Sequence, residues 1–83
     1  MLIHITQIHT PETCPKDEGG LKMLYNPKVE GVKLRAIYGA FSEHVTYYIV
    51  ESDSLEAVHD FLEPGWLRCT CKITPVVEKP IEK

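Results

Sequence analysis

Two strand-like runs, an alternating one at 32–41 and one rich in β-branched and aromatic residues at 44–51, stand only two residues apart. Runs of this kind read as strands. A gap as short as Ser42-Glu43 leaves them one mutual arrangement, an antiparallel hairpin. In the first run the period of two places Val32, Leu34, Ala36, Tyr38 and Ala40 on one face. Lys33, Arg35, Ile37, Gly39 and Phe41 fall on the other. In the second run Tyr47 and Tyr48 point to opposite faces, one toward a core and one toward a partner surface.

The flanking segments complete the pattern. Residues 2–9 alternate Ile3, Ile5, Gln7 and His9 with Leu2, His4, Thr6 and Ile8. Both faces are partly apolar, as in a central strand. Leu21, Leu24 and Tyr25 have helical spacing, and Pro27 stops it, so the expectation is a short helix near 20–26. Asp53 with Glu56 three residues on reads as a capping box for a second helix. Leu55, Val58, Phe61 and Leu62 form its inward stripe, and Pro64-Gly65 ends it. Residues 66–77 read as a fourth strand, with Leu67, Cys69, Cys71 and Ile73 on one face. Arg68, Thr70, Lys72 and Thr74 make its polar face, and Trp66 reads as a packing anchor at the sheet edge. A charged tail occupies 78–83. The order β-α-β-β-α-β specifies an α+β, ferredoxin-like domain over 1–77. Its four-stranded antiparallel sheet has the order 4-1-3-2, with both helices on one face. The other face then needs cover, which predicts a homodimer packed sheet to sheet, a dimeric α+β barrel.

Composition narrows the partners. A chain of 83 residues makes one small domain that buries roughly 60% of its unfolded surface, so a second subunit would help it. Net charge is -3 and no basic block occurs, which gives nucleic acid no footprint. No apolar run approaches the ~20 residues of a membrane span, and the N-terminal run lacks the layout of a signal peptide. The expected location is cytoplasmic. Three cysteines, an odd number, do not suit a secreted disulfide framework. Cys69 and Cys71 share a face but are spaced too widely for an easy mutual disulfide.

The chemistry concentrates in His9-Thr10-Pro11-Glu12-Thr13-Cys14-Pro15, an imidazole, a carboxylate and a thiol between two stiffening prolines at the end of a strand. In the expected sheet, strands three and four flank strand one and run antiparallel to it. The end of strand one therefore lies beside the starts of both. That juxtaposition collects His9, Cys14, His44 and Cys69 as candidate metal ligands, with Glu12 and Glu43 as nearby carboxylates. Zinc, nickel and copper ions accept mixed imidazole and thiolate donors. Two other readings compete. Cys14 could be an activated thiol beside an imidazole. A ligand pocket between sheet and helices could use His4, Glu12, His44, and Tyr47 or Tyr48 for binding or proton transfer. Each residue also has a plain structural reading: Cys69 and Cys71 as packing, His4 as a satisfied core or interface histidine, His59 as solvated, and Glu12 as a turn cap.

The His9–Pro15 stretch, the Glu43-His44 pair before Thr46–Glu51, and the Asp53–Val58 helix start resemble DUF3303-like uncharacterised proteins of the dimeric α+β barrel superfamily. The resemblance spans roughly 2–77, and where that family carries a second histidine this chain has Gln7. It implies the dimeric ferredoxin-like fold and no particular activity. The functional expectation is a homodimer binding a transition metal or small molecule. The alternatives are a cofactor-free monooxygenase or isomerase and a structural or regulatory dimer without a site.

Overall fold

The computed structural model describes residues 1–81. Strands β1 (Leu2–Ile8), β2 (Lys33–Ala40), β3 (Val45–Glu51) and β4 (Thr70–Val76) form one antiparallel sheet in the order β2-β3-β1-β4. Viewed from the opposite edge this is the expected 4-1-3-2. One α-helix occurs among the described residues, α1 (Leu55–Leu62). Val58, Phe61 and Leu62 from α1 close over Ile3 and Ile5 of β1 and Tyr48 and Val50 of β3 to make the core. Burying each such side chain contributes about 1.5–3 kcal/mol. The architecture is a small α+β domain compatible with a ferredoxin-like fold. β4 ends at Val76, and residues 82 and 83 of the expected tail lie outside the described residues.

Five expectations are corrected. The helix expected near 20–26 is a single 3-10 turn, Gly20–Met23. Gly19 and Gly20 sit at φ of 124° and 70°, outside the right-handed helical region, so no α-helix starts there. The apolar spacing still serves the core, because Leu24 is buried and the Tyr25 ring meets those of Tyr48 and Phe61 at 5.4 and 5.2 Å.

The strict alternation of β2 is broken by a bulge between Leu34 and Ala36, where Arg35 is the extra residue. Leu34 pairs with buried Val50, yet Ile37 pairs with buried Tyr48. Leu34 and Ile37 therefore reach the same core, while Ala36 and Tyr38 turn to the other face. One inserted residue flips every side chain after it.

The α1 cap is Ser54, not Asp53. Ser54 Oγ accepts from the Ala57 N–H at 3.1 Å, and Asp53 instead lies against the Met1 amine. β4 begins at Thr70, not Trp66. After the 3-10 turn Glu63–Gly65, both the Arg68 and Cys69 N–H groups donate to the Gly65 carbonyl and hold the chain in a turn. Trp66 is 56% exposed and Leu67 99%, so neither anchors the sheet. The outer sheet face holds half-buried Leu2, His4, Thr6, Tyr47 and Ile49.

Candidate metal centre

Strand register assembles the site. β1 pairs with β3 down to Ile8 opposite Val45, so the next residues, His9 and His44, face each other. The His9 N–H donates to the His44 carbonyl at 3.1 Å and extends the ladder by one bond. His44 is the one non-glycine among the described residues with a positive φ, 57°. The left-handed conformation costs roughly 1–2 kcal/mol. The 3-10 turn Phe41–Glu43 delivers the chain into it, with the His44 N–H donating to the Phe41 carbonyl. His44 Nδ1 then stands 3.2 Å from His9 Nε2, the two rings nearly perpendicular at 76°. One of those nitrogens carries the shared proton and the other accepts it.

Cys14 arrives by a reversal. Pro11–Thr13 form a 3-10 turn, in which the Thr13 N–H donates to the Thr10 carbonyl and Thr13 Oγ1 accepts from the Thr10 N–H at 3.0 Å. The turn brings the thiol back over the strand end. Ligand atoms of His9, Cys14 and His44 lie within 4.8 Å of one another. Arg68 steadies the loop from the other side of the chain, donating to the Thr13 carbonyl and to Glu18 Oε1, each at 3.2 Å.

Burial, with the neighbouring His44 imidazole, holds the His9 pKa below 6.5 and keeps the ring neutral, the form that ligates metals. His9 Nδ1 is buried without a hydrogen-bond partner among the described residues. It is the ring nitrogen turned away from His44, so an ion held at His9 Nε2 leaves it unpaired. Two nitrogens each about 2.0–2.1 Å from a tetrahedral zinc stand about 3.3 Å apart, close to the separation of the two imidazoles. A nitrogen and a thiolate on the same ion stand about 3.6 Å apart, so the thiol needs to move in by at most about 1.2 Å.

The other expected site residues lie elsewhere. Cys69 is outside the group. It faces the interior, where a Cβ on Gly65 would meet its sulfur at 3.3 Å and Gln7 Nε2 at 2.9 Å. Burial pushes its thiol up to about 11, so it stays protonated, unlike a metal thiolate. Glu12 is exposed and outside the group, its carboxyl lowered first by its own backbone N–H, then by Thr10 and more distantly by His44. His4 sits on the outer sheet face beside Tyr47, ring centroids 6.0 Å apart. Tyr48 is a core strut. Its hydroxyl donates to Gln7 Oε1 at 2.6 Å, Gln7 Nε2 donates to the Leu24 carbonyl at 2.8 Å, and burial raises its phenol.

Two features went unread in the sequence. Arg68 belongs to the loop support, not to a solvated strand face. The second is a cleft of about 710 Å³ whose wall includes His9, Cys14 and His44. It opens where a full first helix would have covered the β2–β3 end of the sheet, and Gly20–Met23 covers only part of that ground. Leu21, Leu24, Ile37 and Val45 give it an apolar lining. The glycine pair before Leu21 is the sequence signal for it.

No protein-family model, curated protein or solved structure matches the chain.

Proposed function

We propose that this chain is a metal-binding protein holding one transition-metal ion, zinc by preference, on His9, Cys14 and His44, with a fourth coordination position toward the cleft. The observation that carries the reading is the convergence of two imidazoles and a thiol, from two segments far apart in sequence, within 4.8 Å. Three protein ligands and one open position is the pattern of a zinc that takes up a further ligand rather than of a closed structural site. Copper and nickel accept the same donors, and a tetrahedral set of two nitrogens and one sulfur favours zinc over the square-planar preference of divalent nickel or copper.

Elemental analysis of protein purified without a histidine tag tests this. One equivalent of metal is expected, falling to near zero in Cys14→Ser and in His44→Ala. A metal-free wild type after supplementation with zinc, copper or nickel ends the proposal.

A second reading uses the same wall without an ion. The His9–His44 hydrogen bond beside an apolar cleft suits proton transfer of the cofactor-free monooxygenase or isomerase kind. It requires activity that survives complete chelation. Two further parts of the proposal are kinship with DUF3303-like proteins, supported by the His9–Pro15 stretch, and a homodimer through the outer sheet face, supported by its half-buried apolar and aromatic residues. No helix among the described residues is long and apolar enough to cross a membrane. Three free thiols suit a reducing compartment, and we place the protein in the cytoplasm.

A further inference from the structure

The cleft beside the metal group has a wall that selects a ligand by charge as well as by shape. The chain carries twelve Asp and Glu residues in 83, yet among the described residues no carboxylate lines the cleft. Its one lysine or arginine is Lys16, two residues beyond Cys14. Leu21, Leu24, Ile37 and Val45 make the rest of the contact surface largely hydrocarbon. A volume of about 710 Å³ lies within the range of sites for small organic ligands, roughly 300–1,000 Å³. An ion held by two neutral imidazoles and one thiolate keeps a net positive charge if divalent, which favours an anionic fourth ligand.

We propose that the cleft binds a small monocarboxylic acid with an apolar body, its carboxylate at the His9–Cys14–His44 wall near Lys16 and its hydrocarbon part against Leu21, Leu24, Ile37 and Val45. The inference rests on the metal reading for one bond, from the carboxylate to the open coordination position. The apolar lining and the absence of lining carboxylates are independent of it. A cationic or strongly polar ligand finds no counter-charge and few hydrogen-bond partners there.

The test titrates tag-free protein, first assayed for bound metal, with butanoate, hexanoate and octanoate by calorimetry, with octylamine and octanol for comparison. Affinity is expected to rise by about four-fold per added methylene until the cleft is filled. Octylamine should bind at least ten-fold more weakly than octanoate. Cobalt(II)-substituted protein should change its visible absorption on addition of octanoate and not of octanol. Leu21 is 47% exposed, so Leu21→Glu should fold; it should weaken octanoate ten-fold or more while metal content stays at one equivalent. Metal-loaded protein that shows no rise with chain length, or binds octylamine as well as octanoate, overturns the ligand inference and leaves the metal reading standing. Protein that takes up no metal overturns the metal reading and, with it, the carboxylate–metal bond proposed here. Octanoate binding to that metal-free protein, sensitive to Leu21→Glu, would then sustain only the apolar part of the site.

Discussion

His9 couples the site to the stability of the fold. Its folded pKa is held below 6.5, so at pH values between the two the unfolded chain binds more protons than the native one. Stability of the metal-free protein therefore rises with pH through that window, is complete above about 6.5, and is lost as pH falls through the folded value. Urea denaturation of chelated protein between pH 5 and pH 7.5 should show this slope, and His9→Gln should flatten it. An unchanged slope in the variant would assign the dependence to another group. Arg68 acts on the site through the backbone. Its bond to the Thr13 carbonyl sits one residue from Cys14, whereas its ion pair reaches a Glu18 side chain that is 62% exposed and contributes little. Arg68→Ala should weaken zinc about ten-fold, in the manner of lost outer support around a ligand, while Glu18→Gln should leave it nearly unchanged. Competition with a chromophoric chelator reads both, and equal losses in the two variants would point to the ion pair instead.

At the scale of the element, short pieces are held by specific terminal contacts. α1 has only eight residues, too few to persist by helix propensity, and depends on its buried stripe and its cap. Ser54→Ala should lower stability by about 1 kcal/mol. In a domain of this size that is a fall of about 4–8 °C in the melting midpoint. Asp53→Ala should change it by much less, since the Asp53 side chain is 95% exposed in its pair with the Met1 amine. Calorimetric scans of the two variants separate the caps, and the reverse ranking would restore Asp53 to the role its spacing suggested. The Arg35 bulge works at the same scale. By shifting Ile37 to the core side it also brings Ile37 into the cleft wall.

For the whole molecule, the centre joins parts that folding must first bring together. His9 follows β1, Cys14 follows the turn after it, and His44 precedes β3, so an ion on all three ties the loop to the hairpin. An ion that binds only the folded form stabilises it by about 2.7 kcal/mol at a hundred-fold excess over Kd. The melting midpoint should therefore rise on zinc addition and fall back with chelator in wild type. The same addition should do almost nothing to Cys14→Ser, and a matching rise there would mean that zinc binds elsewhere.

Much of this was legible in the chain. Alternation at 2–9 and the β-branched and aromatic run at 44–51 placed two central strands, and the stripe Val58, Phe61 and Leu62 placed the helix, because burial imposes its demands on the residues that meet the core. The order of those elements was enough to set His9 beside His44, since antiparallel neighbours put one strand's end at the other's start. Register and local turns decided the rest. The bulge at Arg35, the Ser54 cap and the delayed start of β4 each depend on hydrogen bonds that compete within a residue or two of equally plausible alternatives. Cys69 was drawn to the site by its position in the sequence, yet the turn at Gly65 carries it inward beside Gln7. The cleft depends on how little of the sheet a broken helix can cover, a property of surfaces in three dimensions and of no single residue.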